Sequence, residues 1–477
     1  MIYTAGLVMA AASMAAAAVG QTVRARRALA LHEAEAHHLA NHDVLTGLPN
    51  LRNANARLAE MEAKAHASGG HIIAAVIDID QFKEINDTLG RAAGDVLLQA
   101  VALRMRQLGG DCAARIGGDE FALLRLCDAP GAADELTLQI MAAFAPAFEV
   151  EGHSIDVSAS VGIAISDKGG ALTNLLRNAD IAVSEAKERN RGGTVRFTQD
   201  MARRIELRRA LQMDLKNAIG KGELTLHYQP IVEAATWRIS SVEALLRWTS
   251  PRHGNVPPSV FIPIAEETGL MAELGRFVID QAVRDSKRWS GIATSINISA
   301  AQLRSASVLQ DLMEPTRVHG VSPAGITLEI TESMLMGKDE RTLRTLNILK
   351  DAGFSLALDD FGTGYSNLAY IRDFPFDRLK IDRAFVTALG NTSRALEIIR
   401  AIVGLGRILG REVVAEGIET DAELLAVQAA GVTHIQGFYF HRPMSAAHLE
   451  ALLASEAQEK ADEAEPVSAR PHLRSVA

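Results

Sequence analysis

Cysteine is nearly absent from this chain of 477 residues: Cys112 and Cys127 are the whole supply. Two cysteines build neither a disulfide scaffold nor a metal cluster, which excludes small secreted folds and points to a reducing compartment. Basic charge is also short. Lys plus Arg is 49 against 58 Asp plus Glu, a formal net charge of −9. That balance argues against general nucleic-acid binding, which needs a positive field. The remaining composition, 48% hydrophobic and 22% charged, is that of a globular chain with a sizeable core. The length suggests two or three domains, and collagen and coiled-coil rods are excluded.

One long stretch lacks charge altogether. Ile2 to Val23 carries none, and Arg24, Arg26 and Arg27 follow it. That length suits one membrane-spanning helix over residues 1–23, and the trailing arginines orient it with the remainder in the cytoplasm. A bacterial inner-membrane location is the expectation. A cleaved signal peptide would carry its positive charge before the apolar run, and an Ala-rich buried helix is the bland alternative. Residues 24–40 read as a continuing linker helix; His38 and His42, four apart, have a spacing that could bind metal but read as exposed linker histidines. Residues 201–222 read as an inter-domain helix and joint. Leu207, Leu211, Leu215 and Ile219 form its apolar stripe, and Gly220 and Gly222 stop it. Residues 456–477 turn polar, carry Pro466 and Pro471, and read as a flexible tail.

In residues 41–200, His71 to Ile79 is an apolar run that reads as a buried strand and delivers Asp78 and Asp80 at its end. Gly117-Gly118-Asp119-Glu120 between two β-type runs suits a tight hairpin. Two strand-end acid clusters, Asp78 and Asp119, point to a divalent cation. Gly117 to Phe121 spells Gly-Gly-Asp-Glu-Phe, and Asp43 to Asn50 reads DVLTGLPN. The segment therefore resembles GGDEF diguanylate cyclase domains, an α+β fold related to nucleotidyl cyclases with a mostly antiparallel sheet. The resemblance implies that Asp78 and Asp119 hold Mg²⁺ on GTP beside Gly117, Gly118 and Glu120. It also implies that Asn86 and Asp95 recognise guanine and that Lys187 and Arg191 grip the phosphates. Phosphoryl transfer needs such cations to spread the charge of the transferring group. Several positions depart from the family pattern. The helix Asp180 to Lys187 lacks the frequent Tyr, Arg91 replaces a common His, and Asn190-Arg191-Gly192 replaces Gly-Arg-Asn. Leu108-Gly109-Gly110-Asp111 lacks the arginine of the product-inhibition motif, so the resemblance does not extend to that feedback site.

Residues 223–455, with a start possible near 207, have the length of a (β/α)₈ barrel. Short apolar runs there end repeatedly in polar residues and hand over to helical stretches. In a parallel barrel the strand ends meet on one face, which gathers Glu243, Asn297, Glu329, Asp359, Asp360 and Glu416 with the cation Lys380. Oxygen ligands without His or Cys point to Mg²⁺ or Mn²⁺, and adjacent Asp359 and Asp360 allow a bridged two-metal centre for phosphodiester displacement. Singly, each acid would read as a helix cap or turn residue; seven such strand ends together do not.

Tyr228-Gln229-Pro230-Ile231, Glu243-Ala244-Leu245-Leu246-Arg247-Trp248, Asp359 to Leu368, Leu379-Lys380-Ile381-Asp382 and Val414-Ala415-Glu416-Gly417 carry a second resemblance, to EAL cyclic di-GMP phosphodiesterases. It implies one metal on Glu243, Asn297, Glu329 and Asp359 and a second on Asp359, Asp360 and Glu416. Lys380 would orient water and balance phosphate charge, and Glu416 or Asp360 would help remove the proton of the attacking water. Gln229, Arg247 and Gln436 would contact substrate or metal water, and Glu332 would pin the 359–368 loop. The expected product is linear pGpG.

The leading expectation is thus an α/β multidomain phosphodiesterase that is a homodimer, with a GTP-binding first domain that regulates it. A bifunctional enzyme that also makes cyclic di-GMP from two GTP is the alternative. A non-catalytic cyclic di-GMP receptor is the reading from another class.

Overall fold

The protein is described by a computed structural model covering residues 36, 38–167, 174–289, 291–335, 340–362, 372–390 and 393–464. The expected membrane helix at 1–23, most of the linker helix and most of the 359–368 loop lie outside these residues. Among the described residues no helix is long and apolar enough to cross a membrane. They fall into two compact units, one ending at Leu207 and the other beginning at Arg208. The boundary falls inside the helix Gln199–Ala218, where the inter-domain helix was expected.

The first unit is built on β1 (His71–Ile79), β2 (Cys112–Gly117), β3 (Glu120–Cys127), β6 (Ala159–Ile165) and β7 (Thr194–Arg196), ordered β2-β3-β1-β6-β7. A separate pair, β4 (Phe148–Val150) and β5 (His153–Ile155), forms its own small ribbon. In the main sheet every pairing is antiparallel except β6–β7. Strand side chains alternate between faces, and β1 is apolar on both. Ile72, Ala74 and Val76 join Ala54 and Leu58 of the helix Leu51–Ser68 and Val183 of the helix Leu175–Arg189. Ile73, Ala75 and Ile77 join Leu97 and Val101 of the helix Arg91–Gln107. Two apolar faces require two helical layers, and the sheet is buried between them. Gly162 lets the helix Leu175–Arg189 lie directly on β6, because a Cβ there would stand 2.0 Å from the Ala179 carbonyl oxygen. That approach brings Lys187 to the end of β1.

The second unit holds β8 (Leu224–Glu233), β9 (Ile239–Ser250), β10 (Gly254–Val256), β11 (Ala293–Asn297), β12 (Ile326–Thr331), β13 (Ser355–Phe361), β14 (Arg378–Ile381), β15 (Glu412–Ala415) and β16 (His434–Gln436). Strands β9, β11 to β16 and β8 run in order, and a β8–β9 pairing closes the barrel. The all-parallel barrel needs correction at one strand: β8 runs antiparallel to both β9 and β16. A short hairpin joins β8 to β9, and a direct hairpin reverses direction where a helical crossover would not. From β9 to β16 the pairing is parallel. Ile296, Leu328, Ile330, Leu379, Ile381, Val413 and Ala415 pack into the helical layer with Ile279, Leu312 and Ile399. With period two, the residues between them face the barrel interior.

The C-terminal expectation also needs correction. The helix Ala446–Ala464 continues through the start of the supposed tail. Residues 456–464 are Ala, Glu, Gln, Lys and Asp, mostly good helix formers, and a polar run of this kind continues a helix as readily as it forms a tail. Residues 465–477 lie outside the described set.

Candidate active site

At the mouth of the barrel the interior positions are acidic. Glu243 on β9, Glu329 on β12, Asp359 on β13 and Glu416 just after β15 surround Lys380 of β14. Lys380 Nζ lies 2.6 Å from Glu416 Oε1, 2.7 Å from Glu329 Oε2, 3.2 Å from Asp359 Oδ1 and 3.7 Å from Glu243 Oε2. Lys380 is 1% exposed and Glu329 2%. Around them, Asn297 Nδ2 donates to Glu243 Oε1 at 2.8 Å, and Gln436 Nε2 donates to Glu243 Oε2 at 2.7 Å. Gln436 also reaches Gln229, whose own amide donates to the His441 carbonyl.

One ammonium among four carboxylates leaves a charge deficit. Burial works against ionised Glu243, but Lys380 and the amides of Gln436 and Asn297 more than offset it and hold that carboxyl below its usual range. Glu329 is driven well above its usual value by burial, with Glu243 and Asp359 adding to the push. Burial also pushes Glu416 up to about 8, against the pull of Lys380. Lys380 resists burial because its carboxylate neighbours keep it firmly charged. Asp360, half-buried beside Asp359 and Asp382, is pushed up to about 6, chiefly by burial. The interior therefore carries more negative charge than its own cation balances, and it responds by retaining protons.

Asp360 also has an unusual backbone. Its φ is 55° in the left-handed region, where the β13–β14 register shifts between Leu358 and Phe361. The bulge turns Asp360 away from the strand's alternation. Next to it, Glu332 Oε2 accepts from the Gly362 backbone N–H at 2.8 Å, which ties down the start of the 359–368 loop. Arg247 is half-buried, donates to the Leu246 carbonyl, and lines a cavity of about 420 Å³ with Asn297, Ala244, Leu246, Pro258 and Ile262.

A structural requirement invisible in the motif strings lies between Glu416 and Gln436. Ile418 N–H donates to the Gln436 carbonyl, and the Ile418 carbonyl accepts from Tyr439. A Cβ on Gly437 would stand 2.0 Å from the Ile418 oxygen, so only glycine permits this crossing. Among the described residues no three acidic, His or Cys side chains already stand as a metal cage. Their oxygens turn to the Lys380 ammonium instead.

In the first unit, Asp78 pairs in register with Glu120 and Ser160, and Lys187 Nζ lies 2.6 Å from Asp78 Oδ2. Burial raises Asp78 against the pull of Lys187. Glu120 is raised by burial and by Asp180, Asp78 and Asp119. Asp119 is half-buried at the hairpin, Gly117 and Gly118 are exposed at its tip, and Asp95 and Arg191 are exposed. Asn86 lies against Gly94, where a Cβ would meet its Oδ1 at 2.0 Å; Gly94 thereby sets Asn86 beside Asp95. Arg115, to which the sequence reading gave no role, donates to the Gly118 carbonyl and to Asp43. It ties the hairpin tip to the DVLT turn.

Strand-end acids surround one cation in a closed barrel, and an acid-bearing Gly-Gly hairpin stands on a separate sheet, so the chain carries two modules, each with its own acidic cluster. Residues 40–193 match the family model for the diguanylate cyclase GGDEF domain, and residues 212–443 match that for the EAL domain. The chain belongs to the GGDEF–EAL family. It is 38% identical over 435 residues to the bifunctional diguanylate cyclase/cyclic di-GMP phosphodiesterase MucR of Pseudomonas aeruginosa, covering 90% of this chain and 63% of that one. An uncharacterized protein of Mycobacterium bovis is 35% identical over 435 residues, covering 89% of this chain and 69% of that protein. The solved PaMucR phosphodiesterase complex with c-di-GMP is 39% identical, covering 50% of this chain and 99% of that one, with a TM-score of 0.49. The chain spans between half and two thirds of the first of its curated relatives, with shares of 53%, 52% and 63%.

Proposed function

We propose that the second unit is a phosphodiesterase that hydrolyses cyclic di-GMP to linear pGpG, and that the first unit binds GTP with Mg²⁺ and regulates it. What carries the reading is the charge deficit around Lys380: four carboxylates within 3.7 Å of one ammonium, with Glu416 pushed up to about 8. An all-oxygen, over-acidic and buried set is the donor chemistry of Mg²⁺ or Mn²⁺. The buried Gln436 Oε1, without a hydrogen-bond partner among the described residues, adds an unused oxygen ligand beside it.

Glu243, Asn297, Glu329 and Asp359 would hold one cation, and Asp359, Asp360 and Glu416 the second. Bound there, the pair supplies an activated water and neutralises charge on the phosphodiester. The chain's own groups do the rest. Glu416, kept ionised once cations neutralise its acidic surroundings, would take the proton of the attacking water, with Asp360 as the nearby second acceptor. Lys380, released from some of its carboxylates, balances the developing phosphate charge. Arg247 faces the cavity and would hold the phosphodiester, with Gln229 and Gln436 orienting it. Glu332 holds Gly362, at the start of the 359–368 loop, through its backbone N–H. Incubating the purified chain with cyclic di-GMP and Mg²⁺ should yield pGpG. No product, with Glu243→Ala indistinguishable from the parent, would sink the assignment.

A second reading, synthesis of cyclic di-GMP from two GTP, is favoured by the ordered Asp78–Glu120–Lys187 arrangement and by the bifunctional name of MucR. Glu416→Ala protein supplied with GTP should then accumulate cyclic dinucleotide, and its absence would exclude synthesis. Homodimer formation and anchoring in the inner membrane through residues 1–23 complete the proposal; the latter rests on the uncharged run from Ile2 to Val23.

A further inference from the structure

Asp80 is a buried carboxylate for which the site just described has no use. It is 5% exposed and lies beyond the end of β1, two residues after Asp78. Two hydroxyls satisfy it: Ser160 Oγ donates to Oδ1 at 2.8 Å and Ser158 Oγ donates to Oδ2 at 2.7 Å. Its backbone N–H donates to the Ser158 carbonyl at 3.0 Å. A buried acid needs such donors, and their geometry leaves it one orientation.

The Ser160 hydroxyl has a second contact. It accepts from the Gly192 backbone N–H at 3.2 Å. Gly192 belongs to the turn that follows the helix Leu175–Arg189, closed by Gly193 N–H on the Asn190 carbonyl at 2.9 Å. Gly192 takes φ 79° and has no side chain with which to tie down its own turn. Val161 N–H on the Gly193 carbonyl is the turn's other tie to β6. Arg191, exposed, stands in this turn, one helical turn beyond Lys187, whose Nζ is on Asp78. Ser160 is itself the register partner of Asp78. The turn that carries Arg191 is therefore tied to the Asp78 end of the sheet by a relay from Asp80 through Ser160 to Gly192.

We infer that Asp80 and Ser160 are positioning residues for the triphosphate of the nucleotide, acting through the Arg191 turn. This rests on the GTP reading given above. With the Ser160 hydroxyl present, the Gly192 N–H is bonded and the turn has one conformation. Without it, the described ties of the turn to β6 begin only at Gly193 and β7, and Arg191 is freed to move off the triphosphate while the guanine end of the site is untouched.

The experiment is a double-mutant cycle on the full chain with Mg²⁺, read by calorimetry. The probes are guanosine and the α,β-methylene analogue of GTP, which cannot lose pyrophosphate. Ser160→Ala is expected to weaken the triphosphate about three- to tenfold, the worth of one hydrogen bond, and to leave guanosine unchanged. Ser158→Ala spares the Gly192 contact and should weaken it less than about twofold. In an Arg191→Ala background, Ser160→Ala should produce no further loss, because the two act as one unit. A merely structural role would lower guanosine and triphosphate affinity together and would remain additive with Arg191→Ala. That result overturns the positioning role and leaves the GTP reading standing. Failure of the parent chain to bind the triphosphate overturns both.

Discussion

Replacing Lys380 with methionine keeps the volume of the side chain but removes the cation that four carboxylates share at 2.6 to 3.7 Å. Truncating one partner of a buried ionic cluster costs about 3–5 kcal/mol, because charge is left uncompensated in the interior. For a unit of the barrel's size this is a fall of about 6–20 °C in its unfolding midpoint. The loss has a pH signature. A carboxyl whose folded pKa is raised contributes stability fully present below its unfolded value and lost as pH rises through the folded one. Glu416, already near 8, and Glu329, well above its usual value, climb again without Lys380. The variant's deficit should therefore be small near pH 5 and largest near pH 9. Millimolar Mg²⁺ should recover much of it, since divalent cations supply the missing positive charge. The assay is thermal unfolding of parent and variant in chelator and in Mg²⁺ across that range. A deficit that ignores both pH and Mg²⁺ would refute the charge-deficit argument, and so would no deficit at all.

Other variants separate geometry from charge. Gly437→Ala would set a Cβ 2.0 Å from the Ile418 oxygen, so it should push the Ile418 loop away and lower turnover about tenfold or more by displacing Glu416, with far less effect on KM; unchanged turnover would show the interlock to be dispensable. Asp360→Asn removes a carboxyl raised to about 6, so in chelator it should stabilise the barrel at pH 8 by about 1 kcal/mol after solvent screening, and not at pH 4. It should abolish most hydrolysis in Mg²⁺, and full activity would remove Asp360 from the site. Gly94→Ala drives a Cβ against Asn86 and should weaken GTP about tenfold relative to ATP, measured by competition; equal losses for both nucleotides would exclude Asn86 from guanine recognition.

The residues of the candidate site were legible in sequence because period-two alternation and strand ends are local properties. Glu243, Glu329, Lys380 and Glu416 each follow or interrupt an apolar run, and a closed barrel converts that pattern into convergence. The direction of β8 was not legible, since Leu224 to Glu233 alternates equally well whichever way its neighbours run. Nor was the fate of residues 456–464, where a polar helix and a tail share the same composition.

Which oxygens and cations this protein owns, the two modules that carry them and the order of those modules are all written in the residues along the chain. Only the tertiary structure decided that Lys380 sits at the centre of the acids, that Gly437 must admit Ile418, and that Asp80 reaches Gly192 through Ser160. The physical reason is separation along the chain. Identity and alternation are written within a few residues, whereas a buried charge takes its pKa, and a glycine its necessity, from groups that folding brings from elsewhere in the chain.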